Sequence, residues 1–211
     1  MHLNRTHAAV AALMLALLLA ACGGSGTSAT ASAQASLAVS SGQPTDGATP
    51  EPTAGGSAGT AQELEQLIPD AIAGITLQKF SMPGSEFVSS GGATEETQDF
   101  LEGLGVSTDD VAVAAGYGLS PDTGDGVAIF VFRAQGAGPD RLLSVFKEAT
   151  DASRAQPLQW QPAELGGKQV ERAVDPEQDG QVVYLYATGD TLFFLAATQE
   201  DHAAEALAAL P

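Results

Sequence analysis

The chain has 211 residues and sets 8 Lys and Arg against 26 Asp and Glu, a formal charge of −18. Such a polyanion repels nucleic acid and bare anionic lipid, so neither is expected as a partner. The single cysteine, Cys22, excludes a disulfide within the chain, and any fold must rest on its apolar core.

The first feature in chain order is a short polar head containing Arg5, followed by an apolar run from Ala8 to Leu19. A run of about 12 residues falls short of the roughly 20 that a membrane-spanning helix needs. It matches the apolar core of a removable secretory signal, with Arg5 and the amino terminus as the positive flank. The run closes on Leu19-Ala20-Ala21-Cys22. This stretch resembles the lipobox of bacterial lipoproteins: an aliphatic residue, two small residues and a cysteine. The resemblance covers residues 1–22 alone. It implies a signal peptide over residues 1–21, cleavage between Ala21 and Cys22, and a diacylglyceryl group on the Cys22 thiol. The lipid would hold the chain on the extracytoplasmic side of a membrane in the cell envelope, since two acyl chains suffice for stable anchoring. Arg5 is the only Lys or Arg before Cys22 and no acid precedes it, so the processed chain would keep 7 Lys and Arg against 26 acids, a charge of −19.

Residues 22–60 form the next segment. After Cys22 they are mostly Gly, Ser, Thr, Ala and Pro, with Asp46 and Glu51 the only charges. A segment so poor in large apolar residues cannot offset its ordering entropy, and a disordered linker is expected. About 38 such residues give a typical end-to-end distance of roughly 30–35 Å.

From Ala61 to Pro211 the pattern changes to that of one α+β domain. About 150 residues can bury around two thirds of their unfolded surface. The elements expected in order are a helix over Gln62–Ile68 stopped by Pro69, a strand over Ile75–Ser81, and a Gly/Ser loop over Met82–Gly92. A helix capped by Thr94 should bury Phe100, Leu101 and Leu104 and end at Gly105. Strands over Val111–Gly118 and Val127–Arg133 flank the turn-forming string Ser120–Gly126. Pro139 opens a helix whose buried stripe is Leu142, Leu143, Phe146 and Ala149. Strands follow over Gln169–Val174, Gln181–Thr188 and Thr191–Ala197, the last two joined by Gly189-Asp190. Thr198 and Asp201 resemble a capping box for a last helix burying Ala203, Leu207 and Leu210.

The second half echoes the first. Residues 69–79 and 162–172 share the form P-x-x-(I/L)-x-G-x-x-(L/V)-x-(K/R). Val111–Gly118 aligns with Val182–Gly189, and Ile129-Phe130-Val131 with Phe193-Phe194-Leu195. An internal duplication of 69–150 and 162–211 would give two strand–strand–strand–helix halves. The expected architecture is an antiparallel sheet of about six strands with helices on one face.

Few residues carry a chemical signature. Asp175, Glu177 and Asp179, followed by Gly180, place carboxylates at alternate positions before a glycine turn, like the opening of a calcium loop. The flanks are strands and position twelve would be Tyr186, so a solvated turn competes with a metal site. Asp122 and Asp125 form a fainter version. His202 has no second His or Cys in the mature chain with which to hold zinc. Gly116-Tyr117-Gly118 lacks the third glycine of a dinucleotide loop, and no cofactor is expected. Glu95-Glu96 suits the first turn of a helix. Trp160, alternating with Leu158, suits packing or sugar stacking. Phe87 and Val88, in the segment that breaks the internal echo, are the candidates for ligand binding.

No catalytic set emerges, and an enzyme is not the favoured reading. A membrane-anchored binding or interaction module for an unknown protein or small-molecule ligand is the function expected. The alternatives are a small solute-binding component of a transporter and a hydrolase using carboxylates such as Asp175 and Glu177.

Overall fold

The computed structural model describes residues 61–91, 95–178 and 180–211, without the side chains of residues 91, 95 and 96. Cys22, the cleavage position at Ala21, the linker, Thr94 and Asp179 lie outside the described residues.

The chain forms the expected α+β architecture around an antiparallel sheet. The elements are α1 (Ala61–Leu67), β1 (Ala71–Ile72), β2 (Ile75–Thr76), β3 (Gln78–Pro83), α2 (Gly84–Gly91), α3 (Glu95–Leu104), β4 (Val111–Leu119), β5 (Gly126–Ala134), α4 (Pro139–Ala152), β6 (Gln161–Leu165), β7 (Lys168–Asp175), β8 (Gln181–Thr188), β9 (Thr191–Ala197) and α5 (Glu200–Ala209). The main sheet has seven strands in the order β3-β4-β5-β9-β8-β7-β6, and β1 and β2 make a separate ribbon.

Two meanders meet at the β5–β9 seam. At its middle Phe130 pairs with Phe194, the residue it aligns with in the internal echo. Outward from that pair, Ala115 lies opposite Phe130 and Leu185 opposite Phe194. Position for position, Val113 therefore corresponds to Val183. The sequence alignment of Val111–Gly118 with Val182–Gly189 is one residue out of step. A one-residue slip exchanges the two faces of a strand.

The helices cover both faces of the sheet, not one as the sequence reading had it. On the first face, Leu64 and Ile68 at α1, Ile72 and Ile75 of the ribbon, and Ala203, Ala206 and Leu207 of α5 pack on Ala114, Ile129, Tyr184, Phe193 and Leu195. On the second face, Phe100, Leu101 and Leu104 of α3 and Leu142 and Phe146 of α4 pack on Val113, Phe132, Leu185, Leu192 and Phe194. The physical reason is the central strands. Every residue of β9 is buried, and so are the first six of β4. A strand apolar on both sides needs cover on both sides.

Three other expectations change. The strand read as Ile75–Ser81 is broken, because Leu77 N turns back to donate to Asp70 O at 2.9 Å. The segment read as the loop Met82–Gly92 completes β3 and then forms α2. The seventh strand, β6, joins β7 through Gly166-Gly167, both at positive φ (59° and 76°). A Cβ on Gly166 would stand 2.5 Å from Ala204 O, so glycine is needed for α5 to approach the hairpin as well as for the turn. Both halves of the Pro/Gly echo end in such a two-residue turn, Ala73-Gly74 in the ribbon and Gly166-Gly167 at β6–β7.

Candidate functional site

The turn between β7 and β8 is a structural staple. Asp175, 1% exposed, faces Arg154, 6% exposed, with Nη1 and Oδ1 2.7 Å apart. The contact is a charge pair without hydrogen-bond alignment, since neither Nε nor Nη1 of Arg154 has a hydrogen-bond partner. Asp175 Oδ1 also accepts from Glu177 N at 3.0 Å, and Glu177 Oε1 accepts from Ala155 N at 3.1 Å. Two of the three carboxylates proposed for calcium thus pin the segment after α4 to the sheet. Among the described residues no group of three or more His, Cys, Asp and Glu converges as metal ligands would.

The other sequence candidates also have packing roles. Phe87 and Val88 sit on α2 half-buried against the second-face core, so they do not form an open recognition loop. Trp160 packs half-buried on the same core. Gly116 and Gly118 permit close approach. A Cβ on Gly116 would meet Ile68 at 2.7 Å, and one on Gly118 would meet Thr76 O at 2.5 Å. The cap of α5 is Gln199, not Thr198. Thr198 Oγ1 and Gln199 Nε2 both donate to Asp125 Oδ1, at 3.1 and 3.0 Å. Hydrogen bonds from Thr123 first, then Gln199, hold the Asp125 carboxyl below its ordinary range. His202 is half-buried and lines an open groove with Asp122 and Asp125.

Another buried polar group lies on the first face. Tyr184 is 2% exposed; its hydroxyl makes no well-aligned hydrogen bond, and the Arg172 side chain is the donor beside it. Burial pushes its pKa up; hydrogen bonding and charge from Arg172 oppose the rise, and the Glu200 charge adds to it. Arg172 is the register partner of Tyr184, between Gln161 on β6 and Tyr184 on β8. No ion pair joins Arg172 or Glu200 to another residue among those described.

This cluster borders an uncovered corner of the sheet. A groove of about 580 Å³ runs along Gln156, Pro157, Gln159, Gln161, Arg172 and Val174. A second, of about 380 Å³, is lined by Gln178, Gln181, Val182, Tyr184, Thr198 and Glu200. They adjoin across two register pairs, Arg172–Tyr184 and Val174–Val182. Val174 is 45% exposed, one of two large apolar side chains so open among the described residues. The corner thus combines an apolar floor and a rim of glutamines with Arg172 along one groove and Glu200 and Tyr184 along the other.

Sequence reasoning missed it. The alternation of Gln159 and Gln161 with Leu158 and Trp160 was the available signal: it turns the amides to the first face while the apolar pair packs on the second. Comparisons with protein-family models, with curated proteins and with solved structures find no match.

Proposed function

We propose that the chain is an extracytoplasmic binding module, tied to a membrane by lipid on Cys22 and carrying its recognition surface on the acidic α+β body. The observation that carries the reading is the position of the only cysteine, at the last place of Leu19-Ala20-Ala21-Cys22. The linker over residues 22–60 then serves as a tether that lets the body search near the surface. Binding in place of catalysis is favoured by the open corner, whose polar groups line a recess without a paired acid and base. A hydrolase loses its motive, because Asp175 and Glu177 already hold the turn together.

Fractionation of cells expressing the full chain tests the anchor. Wild type should partition with membranes and begin at a lipid-modified Cys22, and Cys22→Ser should appear in the soluble fraction. Equal membrane retention of the variant, or a purified chain that begins at Met1 without acyl mass, would overturn the proposal.

A further inference from the structure

We infer that the end of the sheet farthest from Ala61 is a docking surface for an extended segment of another protein, one carrying two apolar side chains about six residues apart with Lys or Arg between them. The inference deepens the binding-module reading and rests on it.

The register sets five strand ends side by side. β4 ends at Leu119 opposite Gly126, where β5 begins. Val127 pairs with Ala197 at the end of β9, and Ala197 with Val182 near the start of β8. Gln181 then pairs with Asp175 at the end of β7. Three open grooves lie along this end. The one of about 580 Å³ holds Val174, the one of about 380 Å³ holds Val182 and Glu200, and a third of about 610 Å³ holds Leu119, Asp122 and Asp125. Leu119 (49% exposed) and Val174 (45%) are the two large apolar side chains left most open among the described residues. A single exposed apolar residue needs no explanation, but these two share one end of the sheet and each stands in a groove. Between their strands lie β5, β9 and β8. At about 4.8 Å per strand interval the separation is about 19 Å, which an extended chain covers in about six residues.

Charge selects the partner. In strand order Asp122, Asp125 and Glu200 fall between the two apolar positions, and none has an ion-pair partner among the described residues. Arg172 is the one Lys or Arg along these grooves, and it lies beside the Tyr184 hydroxyl. A chain of charge −18 steers a basic partner inward and repels nucleic acid, which leaves a protein segment as the complement. The middle of the surface is already fixed. Thr198 N donates to Gly126 O at 3.1 Å, Gly126 N donates to Thr198 Oγ1 at 3.0 Å, and Asp125 Oδ1 accepts from Thr198 and Gln199. Loops tied in this way lose little freedom on binding.

The route of the chain leaves this end clear. Residues 1–60 precede α1, and α1 starts at the opposite end of the sheet: Glu63 lies 3.8 Å from Arg133, which pairs with Ala112 and Thr191. Arg133 stands about 23 Å beyond Gly126 along β5, at roughly 3.3 Å per residue. The proposed tether therefore joins the body away from the grooves.

The test is fluorescence anisotropy of the full chain with a labelled synthetic peptide of serines and lysines holding two leucines about six residues apart. Control peptides replace the leucines by serine, replace the lysines by glutamate, or bring the leucines together. Saturable binding of the first peptide is expected at physiological ionic strength. Loss of the leucines, or of their spacing, should weaken it about tenfold or more, as uncovering an apolar side chain implies, and glutamates should abolish it. Leu119→Ser and Val174→Ser should each weaken it about tenfold, and Asp122→Asn with Glu200→Gln about threefold or more. Asp99→Asn with Glu102→Gln, the same loss of charge on α3, should leave affinity within about twofold. Circular dichroism of every variant should match wild type, which separates loss of a contact from loss of fold. The inference is overturned if the peptide does not saturate, if leucine spacing makes no difference, if the α3 variant weakens binding as much as the variants at the grooves, or if Leu119→Ser and Val174→Ser bind as wild type does. Self-association of the full chain that Leu119→Ser abolishes would give the surface to a second copy and overturn it as well. The binding module would fail separately, through membrane retention of Cys22→Ser.

Discussion

Two side chains of β7, three residues apart, meet opposite fates. Asp175 turns to the second face, where Arg154 closes on it and the chain after α4 is drawn down over the pair. Arg172 turns to the first face, beside the buried Tyr184 hydroxyl, at the edge of an open groove. One cluster is polar, buried and internally matched. The other is polar, buried in part and loosely matched, and it opens on a groove.

The sharpest way to break this contrast is at Asp175. Asp175→Ala leaves Arg154 as a buried charge without a partner, and should cost about 3–5 kcal/mol of unfolding free energy in urea. Replacing Arg154 by Met in the same chain should recover most of that loss, because the cost lies in the orphaned charge. A small effect of Asp175→Ala alone would mean that the pair is solvated in solution.

A smaller effect is expected where α5 meets the β6–β7 hairpin. Gly166→Ala places a methyl 2.5 Å from Ala204 O at a positive φ, and should cost about 1–3 kcal/mol by thermal unfolding. Gly167→Ala has open space around its Cβ, so only its φ is strained, and it should cost less. Equal losses would show that crowding by α5 contributes nothing.

Tyr184→Phe is the counterpart to Asp175→Ala. Removing a hydroxyl that makes no well-aligned hydrogen bond should change stability by less than about 1 kcal/mol in either direction. A loss of several kcal/mol would show that the hydroxyl is matched within the protein, and the distinction between the two clusters would disappear.

The smallest effect is one of pH. Asp125 ties the β4–β5 turn to Thr198 and Gln199, and its folded pKa is depressed by those hydrogen bonds and that of Thr123. A depressed pKa contributes stability above the unfolded value of about 4 that is lost as pH falls through the folded value. The melting temperature of wild type should therefore fall more steeply below about pH 4 than that of Asp125→Ala. Parallel curves would remove Asp125 from the account.

The sheet was legible in the sequence where residues alternate or turn sharply. Gly189-Asp190 marks the β8–β9 hairpin, Pro139 opens α4, and Gly105 closes α3, with its N–H donating back to Leu101 O at 2.9 Å. What misled was continuity. Leu192–Ala197 is apolar without interruption, a sign of burial on two sides, and reading it as a one-sided strand put all the helices on one face. Gly166-Gly167 likewise announced the β6–β7 hairpin, but Pro162 and the polar Gln161 and Glu164 hid the strand before it. The corner site was illegible for a different reason. It depends on residues 172, 184 and 200 lining adjoining grooves from two strands and a helix, and no spacing along the chain encodes that.

The two outermost strands have one more property. Pro83 ends β3 and Pro162 lies within β6, so each rim of the sheet is short of an amide donor. An unprotected rim invites a neighbouring molecule to zip on as the next strand. On the proposed lipid anchor, copies would be crowded into the thin layer above a bilayer, and there these two prolines would keep repeated collisions from growing into fibres.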